Sequence, residues 1–204
     1  LIFCLWMGAM YLLMFLSKYG FVKAFPRWDK LTIDGEYMGF LAVCLLYQGV
    51  ILPLLIFRLF LDGTTDDIHW WLDCLDPTLV LAPGASVLAA QSAYTSKDFF
   101  FDYAIGEGDV AMWAHHIISL IMLGATYSSM VTNTGAVVIC VGLLEAGSLT
   151  WNVMCVATDF KLTNALKVIR PVFFATMLVT NTLVLTLLGC SWGIPAQRQY
   201  FGLS

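Results

Sequence analysis

Charge is what this sequence has least of. Only 12% of its 204 residues are Asp, Glu, Lys or Arg, about half the ~25% of a soluble domain. So little polar surface excludes an ordinary water-soluble fold. The formal net charge is −4 and no basic stripe runs through the chain, which argues against nucleic acid as a partner. The six cysteines (Cys4, Cys44, Cys74, Cys140, Cys155, Cys190) form no CxxC pair, and five of them sit in apolar blocks. There they read as small hydrophobes, without a disulfide framework or a zinc site. No Asn-x-Ser/Thr sequon, internal repeat or low-complexity segment is present. The first block has no basic start and no small-residue cleavage site, so it reads as a span and not as a signal peptide.

Apolar residues are abundant, at 60%, and they gather in blocks of the ~20 residues that a helix needs to cross hydrocarbon. The blocks predict spans over 1–17, 37–61 with Pro53 as a kink, 78–105, 109–130, 135–157 and 169–189, with Pro171 in the first turn of the last. The expected fold class is all-α, a polytopic transmembrane bundle of about six helices in a single domain.

Loop charges fit that count, because basic residues concentrate on one side of a membrane. The first loop holds Lys18, Lys23, Arg27 and Lys30, and the fifth holds Lys161 and Lys167 with Arg170 at its exit. The second holds Asp62, Asp66, Asp67, Asp73 and Asp76 but no Lys or Arg. Odd-numbered loops are therefore expected to face the cytosol, matrix or stroma. His69, Trp70 and Trp71 in the second loop suggest a short helix in the headgroup layer. The acids beside them lack EF-hand spacing and read as a solvated loop, not a metal site.

Ionisable side chains inside a span are costly and so tend to face the bundle interior. Asp98 and Asp102 lie four apart and share a helix face. His115 and His116 lie on the next helix, across a very short turn, which makes the two helices antiparallel neighbours. Asp98 and His116 then fall at similar depth, roughly 13–14 Å from the turn at ~1.5 Å per residue. A carboxylate beside an imidazole can fix its tautomer and raise its basicity, which suits a general base, a nucleophile or a metal ligand. Adjacent histidines point about 100° apart, so one is expected to act while the other orients or packs. On the fifth span Glu145, Ser148 and Asn152 fall at i, i+3 and i+7 and line one polar face. Each residue alone also fits a structural role in interhelical hydrogen bonding. Together they are read as one polar pocket. Phe99, Phe100, Phe101, Trp113, Trp151 and Trp192 suit lipid contact, and Gly135, Gly142 and Gly147 suit close helix packing.

Several of these segments resemble the TLC-domain family, the ceramide synthases and their non-synthase relatives. Lys97-Asp98-Phe99-Phe100-Phe101-Asp102-Tyr103 is similar to its aromatic-Asp pattern. Trp113-Ala114-His115-His116-Ile117-Ile118-Ser119-Leu120 is similar to its double-histidine motif, with Ser119 where the synthases favour Thr. Leu144-Glu145-Ala146-Gly147-Ser148 with Asn152 resembles the Glu-x-x-Ser face of many non-synthase members, and Arg170-Pro171 fits an arginine near the start of the last helix. The likeness covers residues 37–188. The synthases' further His-Asp pair and Asp have no counterpart in the helix around Glu145.

The resemblance implies a helical bundle with a lipid-sized cavity and a function in handling an acyl chain or sphingoid-type lipid. The chain would then be an acyltransferase-like enzyme or a regulator of membrane lipid composition. In the enzymatic version acyl-CoA is the co-substrate, His116 is base or nucleophile, and Asp98 orients it. Asp102 and Glu145 would help position a head group, and no metal or other cofactor is expected. The resemblance points to the endoplasmic reticulum. The competing expectation is a non-catalytic subunit of a respiratory or photosynthetic membrane complex, in the mitochondrial inner membrane or thylakoid, binding lipid, pigment or haem. A third is a proton or ion pathway through Asp98, Asp102, His116 and Glu145.

Overall fold

The computed structural model describes residues 2–24, 35–62, 83–105, 110–127 and 134–193. Among the described residues every regular element is helical: α1 (Ile2–Ala24), α2 (Gly35–Leu46), a π-helical segment (Tyr47–Ile51), α3 (Leu52–Asp62), α4 (Pro83–Ile105), α5 (Val110–Tyr127), α6 (Thr134–Asp159) and α7 (Thr163–Gly193). Because α2, the π segment and α3 run on without a break, the described chain forms six rods. Helices satisfy their own backbone groups, as a segment surrounded by hydrocarbon must.

Among the described residues four stretches are long and apolar enough to cross a membrane: Ile2–Gly20, Gly39–Arg58, Val137–Asp159 and Thr163–Leu187. The shortest has 19 residues, roughly 28 Å at ~1.5 Å per residue, against a hydrocarbon core of ~30 Å. These four helices make the chain a helical membrane protein. α5 adds a shorter apolar stretch, Trp113–Gly124. α4 carries Lys97, Asp98 and Asp102 and is the most polar of the long helices.

The boundaries correct the expectation in two places. α1 runs on to Ala24 and takes in Lys18 and Lys23, which are helical and not in a loop. α7 starts at Thr163, so Lys167 and Arg170 are also helical, and Pro171 stands inside the helix and not in its first turn. The cause is the tight turn between α6 and α7. Leu162 N–H bonds the Ala157 carbonyl at 2.8 Å and Lys161 N–H bonds the Thr158 carbonyl at 2.9 Å. These two bonds close a Schellman-type cap in which Lys161 holds the left-handed position at φ 54°. That turn needs three residues, 160–162, where the expected spans 135–157 and 169–189 left eleven. Of the acidic second loop, Asp62 is the last residue of α3; the rest, with His69, Trp70 and Trp71, and the turns at 106–109 and 128–133, lie outside the described residues.

The chain divides into two compact units, Leu1–Tyr11 with Leu55–Ile139 and Arg198–Ser204, and Leu12–Leu54 with Cys140–Gln197. The core of the first is α4, where every residue from Val87 to Lys97 except Ser92 is buried. Small side chains at Ala89, Ala90 and Ala93 allow close approach on several sides at once. In the second, Gly39 sits against α1: a Cβ there would lie 2.8 Å from the Met14 carbonyl oxygen. Gly147 on α6 does the same for α7, with Met177 Sδ 2.7 Å and Thr180 Oγ1 3.1 Å from its would-be Cβ.

Pro53 accounts for the π segment. Proline has no N–H to give to the carbonyl four residues back, and its ring crowds that carbonyl. The ladder widens instead, and Leu52 N–H reaches the Tyr47 carbonyl five residues away. The local widening turns Tyr47 and Gln48 into the interior, where both are buried.

Candidate functional site

Each unit carries its own cluster of buried polar side chains. In the first unit the cluster lies on the α4–α5 hairpin. Lys97 is completely buried, and its ammonium lies 2.5 Å from Asp98 Oδ1. An isolated charge in such surroundings would be untenable, and the carboxylate compensates it. The same ammonium stands 4.6 Å from the centroid of the buried Tyr94 ring, a cation–π contact one turn back along the helix. Gln91 donates to Thr95 Oγ1 at 3.4 Å, which continues the polar face. Gln91, Tyr94, Thr95 and Asp98 follow i, i+3, i+4 and i+7, one stripe of α4.

From α5, His116 is buried and His115 is exposed, with ring centroids 5.6 Å apart and planes at 54°. The two imidazoles therefore face different surroundings, as their angular separation on a helix requires. The fields of Asp98, His115 and Lys97 all act on His116, and those of Lys97 and Asp98 reach Tyr11 on α1. Trp113 packs edge-tilted on Phe99 at 5.8 Å, closing the hairpin with aromatic surface. A buried imidazole, a carboxylate, an ammonium and a phenol thus share one small region. Such a set can hold a polar or anionic group and move a proton within hydrocarbon.

In the second unit the cluster joins the π segment to α6. Asn152 Nδ2 donates to Gln48 Oε1 at 2.8 Å, and Gln48 Nε2 donates to Glu145 Oε2 at 2.7 Å. Both ends of the Gln48 amide are committed, so its orientation is set by its neighbours. The chain of donors runs toward the carboxylate, and each bond polarises the next. Gly49 beside it lets the rod approach α6, with Leu149 Cδ1 3.6 Å from its would-be Cβ.

The expected residues thus separate into three groups. Asp98, His115 and His116 lie on one hairpin, although the close contact of Asp98 is with Lys97. Glu145 and Asn152 are joined through Gln48. Ser148 lies on the same helix face, and its hydroxyl donates to the Leu144 carbonyl of its own helix at 3.2 Å. The side chain of Asp102 lies outside the described residues. Lys97 and Gln48 are central to their clusters; from the sequence Lys97 stands out only as part of the aromatic-Asp pattern, and neither residue is assigned a role there. The available signal was their type: each is a strongly polar side chain in a helix that crosses or packs within the membrane. Trp151 is exposed, and its ring lies 5.4 Å from that of Phe173 at a tilt of 52°. Trp113 instead lies within the hairpin. Among the described residues no three His, Cys, Asp or Glu side chains converge as a metal-binding group.

Comparisons with protein-family models, with curated proteins and with solved structures returned no match. The functional reading therefore rests on these side chains.

Proposed function

We propose that this chain handles lipid within the membrane, as a TLC-like protein whose α4–α5 hairpin receives a lipid head group. The observation that carries the reading is the wholly buried Lys97, paired with Asp98 and set in the same hairpin as the buried His116. A head group brings its own hydrogen-bonding atoms and its own apolar tail. A lipid can therefore reach a site of this kind with its head group while its tail stays in hydrocarbon. The resemblance of the Lys97–Tyr103 and Trp113–Leu120 segments to the TLC pattern supports the same reading.

In the enzymatic form His116 acts as the base. It takes the proton from a lipid amine or hydroxyl as that atom attacks the thioester carbonyl of an acyl-CoA. The carbon–sulfur bond then breaks, and the thiolate leaves and recovers a proton from the imidazolium. Asp98 and Lys97 hold the local charge near neutral, so that the imidazole can cycle between its two forms.

The test is the lipid profile of cells producing the wild-type chain or His116→Ala, with membrane insertion and helical content checked in both. Loss of one general base is expected to lower formation of the acylated lipid about 100-fold or more. An unchanged lipid profile with a folded variant would remove the catalytic role of His116.

A further inference from the structure

The start of α7 carries a feature that the proposed site does not use. Lys167, Arg170, Phe174, Leu178 and Leu185 follow i, i+3, i+7, i+11 and i+18, a single stripe of the helix. All five are exposed, with Phe174 at 68%, Leu178 at 71% and Leu185 at 70%. Lys161, in the left-handed position of the preceding turn, is exposed as well. Between residues 159 and 170 the only carboxylate is Asp159, which is half-buried while the three cations are exposed.

We infer that this stripe binds one anionic phospholipid, with the phosphate at Lys161, Lys167 and Arg170 and an acyl chain along Phe174, Leu178 and Leu185. The order of chemistry along the helix selects the occupant. Cations come first and apolar side chains follow on the same face, with Asn181 between Leu178 and Leu185. A soluble acidic partner would match only the upper part, and a neighbouring apolar helix only the lower. An anionic amphiphile matches both. The dimensions agree: Arg170 to Leu185 spans roughly 22 Å at ~1.5 Å per residue, which covers one leaflet, about half of the ~30 Å hydrocarbon core. A basic side chain near an anionic membrane surface contributes about 1 kcal/mol, or about fivefold in binding.

The experiment uses the full chain purified in detergent with equimolar phosphatidylglycerol and phosphatidylcholine, and native mass spectrometry counts the lipids retained. The wild type is expected to retain phosphatidylglycerol in preference. Lys167→Gln with Arg170→Gln is expected to cut that preference roughly 25-fold, and either change alone about fivefold. Lys167→Arg with Arg170→Lys should keep it, and Phe174→Ala should weaken both lipids alike. Helical circular dichroism checks that each variant is folded. Equal retention of the two lipids by the wild type would overturn the inference, as would an undiminished preference in the double variant. Complete release of phosphatidylglycerol by inorganic phosphate would assign the cations to a free anion and overturn it too. None of these outcomes depends on the reading of His116.

Discussion

α4 and α7 are both long helices, and their side chains are distributed in opposite ways. α4 is the most polar of the long helices, yet from Val87 to Lys97 only Ser92 escapes burial. α7 is strongly apolar between Thr163 and Leu187, yet only Leu166, Thr180 and Val184 are buried there. In water the sorting would run the other way. In a bilayer an apolar side chain gains little by leaving lipid for protein, since lipid tails are as apolar as leucine. A charge or an amide gains a great deal by leaving lipid for a partner. Polarity decides which helix becomes the core.

The strongest test of that contrast is Lys97. Lys97→Met removes one member of a buried pair and leaves Asp98 uncompensated, a loss of about 3–5 kcal/mol. Adding Asp98→Asn is expected to restore most of it, because a neutral pair has little to desolvate. Thermal unfolding in mild detergent reads both. If the single variant is as stable as the wild type, the ion pair is not what holds α4 in place.

Second in size is Gly39→Ala. The new methyl would lie 2.8 Å from a backbone oxygen, Met14 O, which cannot swing aside as a side chain can. Overpacking of this kind costs about 1–3 kcal/mol. Gly8→Ala on α1 is the control, since nothing lies within 4 Å of its would-be Cβ. That change should be neutral or slightly stabilising, because alanine is the better helix former by about 1 kcal/mol.

Gln48→Leu should follow, at about 1–2 kcal/mol. It deletes two hydrogen bonds at once, the one accepted from the Asn152 amide and the one donated to the Glu145 carboxylate. A double-mutant cycle with Asn152→Leu separates the amide–amide bond from the rest. A coupling energy near zero would mean that the two amides do not act on each other.

These sites also mark how far the sequence could be read. The apolar blocks showed the helical class and the order of the rods, because about 20 apolar residues have few other uses. The two histidines and Asp98 were legible for the complementary reason, being ionisable groups where they are expensive. Gln48 was not, because one amide in the block from Tyr37 to Leu61 scarcely changes its apolar character. What makes it matter is the π segment imposed by Pro53, which turns it toward α6. Lys97 was legible as part of a pattern but not as the buried partner of Asp98, since neighbouring residues on a helix ordinarily diverge. Ser148 shared the face of Glu145, yet its hydroxyl bonds the carbonyl four residues back, a competition that serine regularly offers in helices. The early start of α7 was hidden because Lys161 fills a place usually held by glycine.

The smallest expected effect sharpens the opening contrast most directly, because the same truncation is made on both helices. Leu178→Ala on α7 removes side-chain atoms that face lipid, at 71% exposure. Lipid fills the space, no cavity remains, and stability should stay within about 0.5 kcal/mol of the wild type. Leu88→Ala on α4 removes the same atoms from a site with 3% exposure. There no lipid tail can follow, and the cavity left behind should cost about 2–4 kcal/mol. The difference between the two measures packing alone, since the chemistry removed is identical. Equal losses would mean that α7 is covered by something other than lipid, and the contrast between the helices would then be one of partners and not of solvent.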